Sequence, residues 1–145
     1  MKNLVRESPI SSVVSTPGPI SLGLGLTNEC NLSCAFCYRD PARTDRLSLQ
    51  QVKSVMERLL VRSVNLGTGE NRMHPDLRAI LAYLRAQPVK LTITSNGYSI
   101  AVLEDSELPV FHDIEFSLDY PTQMEEDMQR GPGTGRSCIN RRRAV

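Results

Sequence analysis

Hydrophobic residues alternate with small or polar ones from Ile20 to Thr27. Ile20, Leu22, Leu24 and Leu26 fall on one side; Ser21, Gly23, Gly25 and Thr27 fall on the other. A period of two predicts a strand, and its nearly bare second face suits a place where another group approaches the backbone. Beyond residue 48 the period changes. Val52, Val55, Met56 and Leu59 recur at helical spacing behind Ser48, and Gln51 completes a capping-box pattern with that serine. "VRSVNLGTGE" (61–70) predicts a second short strand running into a Gly-rich turn. "HPDLRAILAYLRAQ" (74–87) predicts a helix with Pro75 in its first turn and Leu77, Ile80, Leu81 and Leu84 along one face.

A third strand is expected in "VKLTITSNG" (89–97), a weak helix or loop over 99–107, and a fourth strand in "HDIEFSLD" (112–119). "YPTQMEEDMQRGPGTG" (120–135) opens another helix and turn. Strands alternating with helices imply parallel pairing with right-handed crossovers, hence an α/β sheet or barrel. The expected organisation is an irregular lead-in (1–19), four βα-type units (20–133) and an irregular basic tail (134–145) that carries Arg141, Arg142 and Arg143.

A chain of 145 residues is of one-domain length. Its formal net charge of +1 gives no global pull toward nucleic acid or a membrane, and no apolar run has transmembrane length. The first residues are punctuated by Ser and Pro and lack the continuous apolar core of a secretory signal. The expected compartment is therefore the reducing cytoplasm, where clustered cysteines point to metal binding or catalysis rather than disulfides.

Three of the four cysteines, Cys30, Cys34 and Cys37, fall in "CNLSCAFCY" at the end of the first strand. Thiolates suit zinc or an iron–sulfur cluster. A structural zinc site wants four protein ligands, and here the fourth could come only from His74, His112 or Cys138. A cubane held through three of its irons leaves one iron open to a non-protein ligand, and that fits the count. The other conspicuous segments, "GTGE", "TSNG" and "SLD", also sit at strand ends, where parallel α/β proteins gather their ligands.

"CNLSCAFCY" resembles the CxxxCxΦC motif of the radical S-adenosylmethionine (SAM) superfamily, with Phe36 as the aromatic residue. The resemblance implies that Cys30, Cys34 and Cys37 bind a [4Fe–4S] cluster whose open iron is chelated by SAM. "GTGE" is similar to the family's GGE motif, which implies that Gly67, Gly69 and Glu70 hold the SAM methionine amine. Asn96 in "TSNG", Ser117 and Asp119 in "SLD", and Arg130 in "MQRG" correspond to further SAM contacts, Arg130 to the carboxylate. The implied activity is reductive cleavage of SAM to a 5′-deoxyadenosyl radical that abstracts hydrogen from a small-molecule or peptide substrate. The electron would come from a flavodoxin or ferredoxin. Read without the family, Asn96 and Gly97 equally serve a turn with positive φ, Asp119 equally forms a turn before Pro121, and His74 precedes a helix. "GPGTGRS" (131–137) lacks the lysine of a phosphate loop.

The sequence also departs from the family. Thr68 stands where glycine is frequent and Asn71 where proline often follows the glutamate. The superfamily core is a partial (β/α)6 barrel, of which these four strands form the N-terminal part, so an incomplete barrel from a truncated or split product is expected. Two other readings follow: a non-catalytic fragment that binds the cluster or SAM without turnover, and a zinc-binding module.

Overall fold

A computed structural model describes residues 18–133. Most of the expected lead-in, and all of the basic tail with Cys138 and the three arginines, lie outside the described residues. The strands are β1 (Ile20–Gly25), β2 (Val61–Gly67), β3 (Lys90–Ser95) and β4 (Asp113–Phe116). The helices are α1 (Leu49–Arg58), α2 (Leu77–Arg85) and α3 (Gln123–Arg130). All strand pairs are parallel, in the spatial order β1-β2-β3-β4. A doubly wound sheet reverses its order partway; an unreversed order is how a barrel begins.

The alternation read from the sequence sorts the two faces of the sheet. Leu24, Val64, Leu66, Leu91 and Ile93 are buried with Val52 of α1 and Leu77, Ile80, Leu81 and Leu84 of α2. Each core leucine or isoleucine contributes roughly 1.5–3 kcal/mol by leaving water, which makes this face the adhesive between sheet and helices. On the opposite face, Gly23, Asn65, Thr92 and Asp113 form one row of register across all four strands. Farther along it, Thr94 Oγ1 donates to Glu115 Oε2 across 2.7 Å. One face is thus committed to the core, and the other is polar.

Ser48 caps α1 as its sequence predicts: Gln51 N–H donates to Ser48 Oγ, and Ser48 N–H donates to Gln51 Oε1. Three expectations need correction. Leu59 does not join the apolar face of α1, because the helix ends at Arg58 and Leu59 is its exposed C-cap. Pro75 lies outside α2. His74 Nδ1 accepts from the Asp76 N–H in a tight turn, and the helix starts at Leu77. The fourth strand does not run to Asp119, since β4 stops at Phe116. The Ser117 amide still reaches Ser95 O across 2.9 Å, but the Asp119 and Tyr120 amides turn away to Glu126 Oε2. The segment expected as a weak helix or loop holds two short 3-10 turns (Ile100–Val102 and Leu108–Val110). Among the described residues no helix is long and apolar enough to cross a membrane.

Candidate functional site

The cysteine loop leaves β1 and is tied at its own base. Asn28 Nδ2 donates to the Asp40 and Arg43 carbonyls, at 2.6 and 3.0 Å. Arg39 returns the favour with Nη1 to Asn28 O (2.6 Å) and Nη2 to Leu32 O (2.9 Å). Carbonyls of an irregular loop need donors, and one guanidinium answers two of them near the start of the motif. The Ala35 amide donates to Gln129 O across 3.2 Å, which joins the loop to the last turn of α3. Cys30, Cys34 and Cys37 are all free thiols.

The turn after β2 presses against the start of this loop. Thr68 and Gly69 both have positive φ, 71° and 64°. A Cβ at Gly69 would collide with the Thr27 and Glu29 carbonyl oxygens, so glycine is required there on two grounds. The next amide, Glu70 N–H, donates to Glu29 O across 2.7 Å. Thr68 tolerates its conformation while packed over Gly25, and its Oγ1 lies 2.9 Å from Tyr38 Oη. Asn71, in the place where proline is common, donates through Nδ2 to Leu66 O and stays buried.

Glu70 is 1% exposed, and its carboxylate is held by the turn after β3. Oε1 accepts from Ser95 Oγ (2.6 Å), from Ser99 N–H (2.7 Å) and from the Ser99 hydroxyl. Oε2 accepts from Asn96 N–H across 3.0 Å. Donors this numerous keep a buried carboxylate satisfied without a cation. Asn96 extends the chain of contacts: its Oδ1 accepts from Tyr98 N–H (3.0 Å), and its Nδ2 donates to Asn31 Oδ1 (2.9 Å) and toward Cys30 Sγ (3.6 Å). Burial pushes the Cys30 thiol above its ordinary range; the Leu32 amide pulls the other way and the Glu70 charge adds to the rise.

Arg130 closes the opposite side. Its Nε donates to Asp119 Oδ2 across 2.8 Å, Nη2 bonds the same oxygen, and the guanidinium sits 5.2 Å over the Phe36 ring. Glu126, fully buried, lies 3.0 Å from Nε as an ion pair, though the N–H itself is aimed at Asp119. Burial works against the Arg130 charge, but the bond and charge of Asp119, with Cys34 and Glu126, outweigh it and raise the group above its ordinary value.

These elements enclose one cavity of about 220 Å³ at the carboxyl ends of the strands. Of the residues expected from the sequence, Cys30, Cys34, Cys37, Gly69, Glu70, Asn96, Ser117 and Arg130 line it. Gly67 and Asp119 do not; Gly67 closes β2, and Asp119 reaches the site only through Arg130. Sequence reasoning missed Arg39 on the cavity wall and Ser99 and Glu126 behind it, and within "TSNG" it singled out Asn96 but not Thr94 or Ser95, which also line the cavity. An arginine directly after "CY" and serines flanking "NGY" were the available signals. His74, buried, accepts at Nδ1 and pairs through Nε2 with Leu47 O, and so serves the fold rather than a metal.

Cys30, Cys34 and Cys37 all line this cavity, and thiolates are the donors that an iron–sulfur cluster takes, one on each of three irons.

The model of the radical SAM superfamily matches residues 24–134. Mycofactocin maturase MftC of Mycobacterium tuberculosis is 33% identical over 123 residues, covering 80% of this chain and 32% of that protein. A probable GTP 3′,8-cyclase of Pyrococcus horikoshii is 31% identical over 90 residues, covering 59% of the chain and 29% of that protein. The chain thus spans about a third of the length of these relatives. In fold it is similar to Streptococcus suis SuiB bound to S-adenosylmethionine, with a TM-score of 0.68 and 18% identity over 84% of this chain and 30% of that one.

Proposed function

This chain belongs to the radical SAM superfamily, and from that premise we propose that it binds a [4Fe–4S] cluster through Cys30, Cys34 and Cys37 and cleaves SAM reductively. The observation that carries this reading is the meeting of all three thiols with Gly69, Glu70, Asn96, Ser117 and Arg130 around one cavity. Bound together, the two cofactors supply one-electron cleavage of a carbon–sulfur bond to a 5′-deoxyadenosyl radical, which takes a hydrogen atom from substrate.

The protein's part is to bind, orient and exclude water. Arg39 and Asn28 hold the cysteine loop in shape, and Gly69 lets the next turn close against it. Backbone groups at Thr68 and Gly69, with Glu70 Oε2, would receive the methionine amine; this oxygen accepts one protein donor where Oε1 accepts three. Arg130 offers a positive charge for the carboxylate, and Ser117 a polar wall. Phe36, flat against the guanidinium, keeps that side apolar.

A reductant of the flavodoxin or ferredoxin class would supply the electron, in a reducing cytoplasm that keeps these cysteines free. The hydrogen donor is a small molecule or a peptide. The solved complex of SuiB with its precursor peptide favours a peptide.

Anaerobic reconstitution tests the proposal. About four irons per chain, and a SAM-dependent change in the EPR spectrum of the reduced protein, are expected. Dithionite and SAM should then give 5′-deoxyadenosine, and Cys34→Ala should assemble no cluster. Cluster without 5′-deoxyadenosine would reduce the protein to a non-catalytic binder. Stoichiometric zinc in place of iron would overturn the reading.

A further inference from the structure

Asn96 is held at two points before its carboxamide NH2 reaches the cysteine loop. Its amide donates to Glu70 Oε2 (3.0 Å), and its Oδ1 accepts from Tyr98 N–H (3.0 Å). Oδ1 is therefore identified by a backbone donor, so the other end of the carboxamide must be the NH2 group. One of its protons goes to Asn31 Oδ1 at 2.9 Å, and Nδ2 lies 3.6 Å from Cys30 Sγ, within reach of an N–H···S bond. The Leu32 amide approaches the same sulfur at 3.4 Å. Asn96 is 7% exposed, and Glu70, which fixes its backbone, is 1% exposed. Little water competes for the contact, so the donor's orientation is built in rather than incidental.

We propose that Asn96 is a positioning residue that sets the reduction potential of the cluster by donating a hydrogen bond to the Cys30 sulfur. This rests on the cluster reading above and goes beyond it. Asn96 was expected to contact SAM; its side chain also reaches the sulfur and Asn31. A donor aimed at a cluster thiolate stabilises negative charge on sulfur, and the reduced cluster carries one more electron than the oxidised one. The bond therefore favours reduction, and removing it must lower the potential. Glu70 orients the donor by accepting the Asn96 amide.

The test uses the full chain, anaerobically reconstituted, with redox titration followed by EPR in the absence of SAM. Asn96→Leu removes the donor at similar volume and adds no charge. Asn96→Asp keeps an acceptor for the Tyr98 amide but puts a carboxylate where the donor was. The expected order of midpoint potential is native highest, Leu lower and Asp lowest. Proton ENDOR of the reduced native cluster should show an exchangeable coupling that the Leu variant lacks. Unmoved potentials in both variants would overturn the inference. So would a large loss of SAM affinity at constant potential, since that is the behaviour of a SAM contact. Failure of both variants to assemble a cluster that the native chain assembles would also overturn it, because a tuning residue is dispensable for assembly. If the native chain itself takes up no cluster, the functional reading falls first and this inference with it.

Discussion

Ser99 and Glu70 stand 29 residues apart, yet the Ser99 amide donates to the Glu70 carboxylate across 2.7 Å and its hydroxyl bonds the same oxygen. The bond joins the turn after β2 to the turn after β3. With Ser95 and Asn96 on the same carboxylate, one buried side chain fastens two walls of the cavity. A residue with that role must matter to the protein before any ligand arrives.

Glu70→Leu should therefore destabilise the cofactor-free protein by roughly 2–4 kcal/mol, because buried donors at Ser95, Asn96 and Ser99 lose their acceptor. Glu70→Gln keeps one acceptor oxygen and should cost less. Urea unfolding of the apo chain measures both. Unchanged apo stability in the Leu variant would mean that Glu70 serves only a bound ligand.

Gly69→Ala should be at least as severe. The added Cβ meets two backbone carbonyls that cannot rotate away, at a φ of 64° that alanine avoids. The turn must then lift off the cysteine loop and break the 2.7 Å bond from Glu70 N–H to Glu29 O. Expected losses are on the order of 3 kcal/mol, together with poor iron uptake. Iron and sulfide assays after reconstitution, beside thermal unfolding, would check both.

Gly25 and Thr68 should behave as one unit. An alanine Cβ at Gly25 would come within 3.1 Å of Thr68 Cβ and 3.2 Å of its Oγ1. Gly25→Ala alone should cost about 1–2 kcal/mol through that crowding. Thr68→Gly alone should be near neutral: it relieves a positive-φ threonine but frees the unfolded chain and loses the Tyr38 contact, which is mostly exposed. Combined, the second change should recover most of the loss from the first. A double-mutant cycle by urea denaturation reads the coupling, and strict additivity would disprove the contact.

The order of strands and helices was legible because each carries its period openly: alternation in 20–27, helical recurrence in 77–84, a capping box at Ser48. The three thiols were legible because their spacing is local. What escaped was everything that depends on two distant turns meeting. Nothing near Ser99 in the sequence points to Glu70, and no local pattern announces that Glu126, rather than Met124 or Met128, is the buried residue of α3. Asp119 was misplaced for the same reason. The alternation of 112–119 reads as one strand, but amides captured by Glu126 end it early.

That misplacement changes what Asp119 should do. Read as a SAM contact, it would weaken SAM binding when removed. In the fold it lies outside the cavity lining and occupies the Arg130 guanidinium through Nε and Nη2. An anionic group arriving at Arg130 must share a charge that Asp119 and Glu126 already answer. Asp119→Asn removes one of those competitors and leaves Glu126 to keep the arginine docked. Asp119 is 46% exposed, so its pairing is worth at most about 1 kcal/mol and the variant should fold normally. Released from that competition, the arginine should bind the SAM carboxylate more tightly, with Kd falling roughly two- to fivefold. Arg130→Met should raise Kd instead, and it should also destabilise the apo chain, because buried Glu126 loses its counter-charge. Isothermal titration of SAM into the reconstituted variants gives both signs. A higher Kd for Asp119→Asn would restore Asp119 as a direct contact.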